Sequence, residues 1–236
     1  MGSSRLPGKV MMELQGRPMI CHVVERVSRI GPVDQVVVAT TSHSRDDELA
    51  ALVSDLADTE VFRGSEEDVL LRYVGAAEAM EADVVVRVTA DCPLLCPSVS
   101  TRVVNEFLTG LGALDYVSNA LRRTYPRGLD TEAFSYESLL RANREATLRS
   151  DREHVTSFLW RQPDRFRLRN VEDDRDNSHW RLTVDTPEDF ELVSRVLSAL
   201  QPQNPAFDYT ELLECLGQHP DWAEINQHII QKGLDT

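Results

Sequence analysis

Apolar positions in the first hundred residues follow two periods. Val36-Val37-Val38-Ala39-Thr40 and Val84-Val85-Val86-Arg87-Val88-Thr89 are nearly unbroken β-branched runs, the pattern of strands buried on both faces of a parallel sheet. Around them, apolar residues recur at helical spacing. One stripe is Met19, Ile20, Val23, Val24 and Val27. A second is Leu49, Leu52, Val53 and Leu56, behind a capping-box pattern at Ser44 and Asp47. A third is Val99, Val103, Val104, Phe107 and Leu108. Strands alternating with helices predict an α/β fold with crossover helices.

The second half is less regular. Leu129 to Phe134, Phe166 to Val171 and Trp180 to Val184 read as strands. Tyr136 to Ala146 and Asp151 to Trp160 read as helices, and Pro187 stands where another would begin. The polar, proline-marked stretch 201–205 is a break, with short helices expected near Glu211 and after Pro220. This pattern gives a main domain over 1–200 and a small helical tail over 201–236.

Charge narrows the function. The 39 acidic and 25 basic residues give a formal net charge of −14, which argues against a chain-wide nucleic-acid binder, since phosphate contacts need a basic face. A local arginine cluster remains suited to a phosphorylated small molecule. No apolar run approaches ~20 residues, so no membrane span is expected. No basic-then-apolar leader is visible, and four cysteines are few for 236 residues. The expected setting is a reduced cytoplasm. Cys92 and Cys96 have no second pair at zinc spacing and read as packed thiols.

The sharpest motif is Gly2-Ser3-Ser4-Arg5-Leu6-Pro7-Gly8-Lys9, followed by Gly16-Arg17-Pro18-Met19-Ile20 opening a helix. Glycine and serine let backbone N–H groups turn around phosphate oxygens, and Arg5 and Lys9 can neutralise a triphosphate. The bland alternative is a flexible amino end. Further along come Val36 to Thr41, Phe62 to Leu70, Arg87-Val88-Thr89-Ala90-Asp91-Cys92-Pro93-Leu94, Tyr125-Pro126-Arg127-Gly128-Leu129-Asp130, Arg152-Glu153-His154-Val155 and Thr183 to Asp189. Together these resemble the cytidylyltransferases that make CMP-activated sugars, including the acylneuraminate and 3-deoxy-manno-octulosonate enzymes. The resemblance is greatest to the branch of spore coat polysaccharide biosynthesis protein F, and it covers nearly the whole chain. It implies a Rossmann-like, mostly parallel sheet of the nucleotide-diphospho-sugar transferase type. It also implies CTP and a sugar or sugar acid as substrates, Mg²⁺ as cofactor, and a homodimer with about 130–171 reaching over the partner. Family members begin with a short apolar strand ending in Ala-Arg. That strand has no counterpart in these 236 residues, so two neighbouring strands are expected to lack a ladder partner between them.

Each candidate residue has a structural alternative. Asp91 follows a buried strand, at the carboxyl edge where α/β sheets bind ligands, but an Asp before Pro93 also suits a turn. Asp185 ends another expected strand and competes with a helix-cap role, which Thr186 can take instead. The resemblance makes both Asp91 and Asp185 metal ligands. Arg5 and Lys9 are implied phosphate ligands, with Gly2, Ser3 and Ser4 supplying the loop. Ser65 is a nucleotide-side candidate that also reads as a helix cap for the acidic run behind it. Tyr125, Arg127, Asp130, Arg152 and His154 are acceptor-side candidates. Arg127 or Arg152 would pair with an acceptor carboxylate or phosphate, while Ser150 and Glu153 form a capping-box pattern. Two other functions stay open. One is transfer to a non-sugar phosphate or phosphonate acceptor. The other is a non-catalytic nucleotide-binding scaffold.

Overall fold

The computed structural model describes residues 5–231 and Gly233. A short hairpin, β1 (Glu13–Leu14) and β2 (Arg17–Pro18), leads into α1 (Met19–Val27). Then follow β3 (Val36–Thr41), α2 (Asp47–Ser54), β4 (Thr59–Gly64), α3 (Val69–Ala79), β5 (Val84–Arg87) and α4 (Pro97–Thr109). The second half contains β6 (Tyr116–Ser118), β7 (Glu132–Ser135), α5 (Tyr136–Glu145), α6 (Arg149–His154), α7 (Ser157–Trp160) and β8 (Leu168–Asn170). It closes with α8 (Pro187–Leu200), α9 (Tyr209–Gln218) and a 3-10 turn over Pro220–Ile225. No helix among the described residues is long and apolar enough to cross a membrane.

β3 and β4 pair in parallel, with Val36 opposite Thr59 and Thr41 opposite Gly64. A second sheet has the order β5-β7-β6-β8. The β4–α3–β5 connection is a strand–helix–strand crossover, which joins strands of one sense. β7 is antiparallel to both β5 and β6, and β8 is parallel to β6. Within the second sheet β5, β6 and β8 therefore share one direction and β7 opposes it, while β3 and β4 run together in theirs. This is the mostly parallel α/β sheet with flanking helices. β3 and β5 are both edge strands of their separate ladders.

Local sequence explains the ends. Thr186 and Asp189 form a reciprocal capping box with Pro187 in the first turn of α8, and Asp208 with Glu211 does the same for α9. The end of β3 is fixed by Asp46, whose carboxylate accepts from the hydroxyls of Thr40 (2.8 Å) and Thr41 (2.6 Å) and the Thr41 amide (3.2 Å). α9 seats Leu212 and Leu216 in the same core as Leu192 and Val196 of α8, and Phe207 joins them.

Four local expectations are corrected. Trp180 to Val184 is not a strand. Its ladder partners are loop backbone: Arg127 donates to Trp180 (3.0 Å), Leu182 to Arg127 (2.7 Å) and Val184 to Asp91 (2.8 Å). The helix expected over 151–160 is broken at Val155, at φ 65°. Thr156 and Ser157 turn aside there to reach the carboxylates of Glu132 (2.5 Å) and Asp151 (2.7 Å). Ser44 caps nothing, because a 3-10 turn over Ser44–Asp46 precedes α2. Ser150 lies inside α6, which starts after Leu148 with no side-chain cap.

Gly128 shows how closely these loops approach. At φ 103° it faces the Leu182–Thr183 backbone, which a Cβ would meet at 2.6 Å. Gly128→Ala is expected to cost about 1–3 kcal/mol from backbone conformation alone, and more from the clash. Thermal unfolding checks this, and an unchanged midpoint would contradict the packing described.

Candidate active site

Four segments converge beyond the carboxyl end of β5: the 5–9 loop, the turn at Asp91, the 180–189 segment entering α8, and the carboxyl-terminal tail. Lys9 is at their centre. Its Nζ donates to Asp91 (3.0 Å), Asp185 (2.9 Å) and the Val184 carbonyl (2.7 Å). The other oxygen of Asp185 pairs with Arg5 (2.7 Å) and Arg181 (2.9 Å). Arg181 also grips both oxygens of Asp189, at 2.8 and 3.0 Å. Asp189 is fully buried and accepts from the amides of Asp185 (2.9 Å) and Thr186 (3.1 Å). The tail completes the lattice through Asn226 to Asp189 (2.8 Å) and Gln231 to Arg181 (2.6 Å).

The protonation states follow from this geometry. Burial disfavours the Lys9 ammonium, but the charge of Asp91 and the bonds to Asp185 outweigh it, so its pKa lies above the ordinary lysine value. Burial likewise disfavours the Asp185 carboxylate, yet the Lys9 hydrogen bond and the charges of Lys9, Arg5 and Arg181 pull its pKa down. On Asp91, one oxygen takes Lys9 and the other takes the Thr89 hydroxyl at 2.6 Å. Lys9 and Asp185 are held charged at neutral pH in a partly desolvated pocket, where charge is worth most.

Arg5, Lys9, Asp91 and Asp185 are thus brought together, although up to 180 positions separate them. Gly2, Ser3 and Ser4 lie outside the described residues. Arg127 borders the lattice through its bridge to Arg181. It is half-buried, and among the described residues its guanidinium has no ion pair or side-chain hydrogen bond. Burial and then the like charge of Arg123 hold its pKa below the usual arginine value. Asp130 is clamped by Arg123 at 2.5 and 2.7 Å.

Other candidates lie elsewhere. Tyr125 is fully buried in the core beneath Tyr209, with its hydroxyl on Arg102 (2.5 Å). Arg152 is spent on Asp68 (2.5 Å) and Asn143 (2.7 Å), pinning α6 to α3. His154 is half-buried at the end of α6. Ser65 accepts from the Asp68 amide (3.0 Å), and Asp68, not Ser65, caps α3. Cys92 and Cys96 are buried free thiols, raised in pKa by that burial. Sequence reasoning missed Arg181, Asp189, Arg123 and Thr89. Only Arg181-Asp185-Asp189 carried a signal, as one basic and two acidic residues at four-residue spacing.

The chain is similar to known proteins over nearly its whole length. A family model described as cytidylyltransferase matches residues 1–217. An uncharacterized protein of Methanocaldococcus jannaschii is 32% identical over 98% of this chain and 93% of its own length. Spore coat polysaccharide biosynthesis protein SpsF of Bacillus subtilis is 32% identical over 94% of this chain and 93% of its own. The structure of a cytidylyltransferase from Leptospira borgpetersenii superposes with a TM-score of 0.90, at 31% identity, covering 99% of this chain and 95% of that one.

Asp189 is the structural keystone of the lattice. Asp189→Ala leaves Arg181 buried without its main partner, an expected loss of about 3–5 kcal/mol. Chemical denaturation measures it, and a loss below ~1 kcal/mol would contradict the assignment.

Proposed function

The chain belongs to the cytidylyltransferase family, and from that premise we propose that it transfers CMP from CTP to a sugar or sugar acid, with Mg²⁺, in the cytoplasm. The product would be an activated sugar for a surface polysaccharide, the setting printed in the name of the Bacillus relative. The same reading keeps the homodimer, with about 130–171 at the partner. One observation carries the proposal: Asp91 and Asp185 share a single cation, Lys9, with Arg5 beside it.

In the transfer, an acceptor oxygen bonds to the α-phosphorus of CTP. The bond from that phosphorus to the bridging oxygen breaks, and pyrophosphate leaves with the electron pair. The acceptor's proton passes to solvent or a nearby base. The protein's task is alignment and charge neutralisation. Two aspartates offer hard oxygen donors, and no group of three or more His, Cys, Asp or Glu suited to a metal exists among the described residues. That donor set fits Mg²⁺, which uses one or two carboxylates together with substrate phosphates. Asp91 and Asp185 would hold it, and it would neutralise charge across the phosphates. Lys9 and Arg5 would donate to the outer phosphates of CTP.

Arg127 supports an anionic acceptor. A half-buried guanidinium without a carboxylate partner, beside Arg123 and Arg181, attracts a carboxylate or phosphate. A sugar acid meets that demand, and so does a phosphate or phosphonate acceptor. A panel of acceptors separates the two.

Pyrophosphate release in steady state tests the proposal. Chelation of divalent ions should abolish turnover. Asp91→Asn should lower it by at least ~10²-fold, the scale of losing one electrostatic stabiliser. Lys9→Ala should raise KM for CTP more than for the acceptor. Near-wild-type turnover in Asp91→Asn would sink the metal assignment. Arg127→Ala should raise the acceptor KM about 10–100-fold with CTP binding little changed, the range for a lost charged hydrogen bond. An unchanged acceptor KM would remove Arg127 from the site.

A further inference from the structure

The two carboxylates that Lys9 joins are held in the same way. On Asp91, Oδ1 accepts from the Thr89 hydroxyl at 2.6 Å and lies 3.5 Å from the buried Cys92 thiol. Its Oδ2 accepts from Lys9 at 3.0 Å. On Asp185, Oδ2 accepts from Arg5 at 2.7 Å and from Arg181 at 2.9 Å, and Oδ1 accepts from Lys9 at 2.9 Å. One oxygen of each aspartate is thus committed to a neighbour, and among the described residues the other is joined to Lys9.

The holders differ from Lys9 in freedom. Arg181 is buried, and besides Asp185 its guanidinium donates to Asp189 at 2.8 and 3.0 Å and to Gln231 at 2.6 Å. Its carbonyl accepts from the Asn226 amide at 2.9 Å, and that same nitrogen donates to Asp189 at 2.8 Å. α8 and the tail therefore brace it from two sides. Thr89 is β-branched, with few rotamers open to it, and the Cys92 amide closes the turn onto its carbonyl at 3.2 Å. Lys9 is a compact charge on a flexible stem, which can change partners without dismantling that frame.

We propose that Thr89 and Arg181 are positioning residues that make the site select a small divalent ion over a large one, by withholding one oxygen of each aspartate. The inference rests on the reading above, in which Asp91 and Asp185 hold a divalent ion and Lys9 turns to phosphate. Lys9 then releases Oδ2 of Asp91 and Oδ1 of Asp185, one oxygen from each carboxylate. Single oxygens suit Mg²⁺, which demands octahedral geometry at about 2.0–2.1 Å and takes its other ligands from phosphate and water. Ca²⁺ takes about six to eight oxygens at about 2.3–2.6 Å and often uses both oxygens of one carboxylate. Here the second oxygen comes free only by breaking the bond to Thr89 or by stripping a buried guanidinium of a partner. Both ions carry the same charge, so the discrimination lies in these two holders.

Calorimetric titration of CTP, in Mg²⁺ and separately in Ca²⁺, reads the selectivity without turnover. The unaltered protein should bind CTP at least ~10-fold more tightly with Mg²⁺ than with Ca²⁺. Thr89→Val keeps the branched shape and loses the hydroxyl. It should lower that ratio about 10-fold, the scale of removing the partner of a ligating group, and Thr89→Ser should keep it within ~2-fold. Arg181→Lys keeps a charge for Asp189 but loses the fork that also reaches Asp185, and it should lower the ratio as well. Thr89→Val leaves Asp189 and its partners in place, so it decides the matter alone if Arg181→Lys fails to fold in thermal unfolding. A merely structural role would weaken binding with both ions alike. An unchanged ratio in Thr89→Val, or equal affinity with the two ions in the unaltered protein, would overturn the proposal and leave the metal reading standing. CTP binding that is the same with either ion as with chelator would overturn both.

Discussion

The largely buried ion lattice centred on Lys9 and Arg181 ties together parts of the chain that lie far apart in sequence. Arg5, Lys9 and Arg181 face Asp91, Asp185 and Asp189, and every contact lies between 2.7 and 3.0 Å. Such a cluster gains little over an apolar core, but removing one member strands its partner at high cost. The segments carrying these residues are therefore held in one register. The backbone bonds from Val184 to Asp91 and from Leu182 to Arg127 repeat the constraint. The close approach at Gly128 is a consequence of it.

Under the proposed function, the charge balance of this lattice would call for a divalent ion. Three cations already match three carboxylates, within a chain of net charge −14. A triphosphate brought to this balanced site adds only negative charge. Under the proposed function it would gain a foothold when a divalent ion comes with it, held by Asp91 and Asp185, and when Lys9 and Arg5 turn toward phosphate. Lys9 compensates both aspartates, and on the proposed function it would do so until the nucleotide arrives. Its raised pKa and the lowered one of Asp185 are two views of that role.

Much of this was legible in the sequence where one short-range rule decided the outcome. The β-branched runs gave β3 and β5, and Thr186-Pro187 with Asp189 gave the start of α8. Asp91 and Asp185 each close an apolar run, but only the family resemblance set them apart from an ordinary turn or cap residue. β4 was not anticipated, being half-exposed with little apolar pattern, and the helix expected behind Ser65 is capped by Asp68 instead, hidden within an acidic run. β6 is only three residues long. Trp180 to Val184 has a strand's composition but pairs with loops, which no local rule reveals. Arg152 and Tyr125 were chosen by type and motif, and partners distant in sequence, Asp68 and Tyr209, decide what they do.

The claim most open to direct measurement is that Asp91 and Asp185 receive the nucleotide through a divalent ion. Calorimetric titration of CTP, with Mg²⁺ and then with chelator, isolates this from every later step. The account predicts tight binding with Mg²⁺, at least ~10-fold weaker binding with chelator, and loss of that difference in the Asp91→Asn, Asp185→Asn double variant. CTP affinity indifferent to Mg²⁺ in the unaltered protein would contradict it.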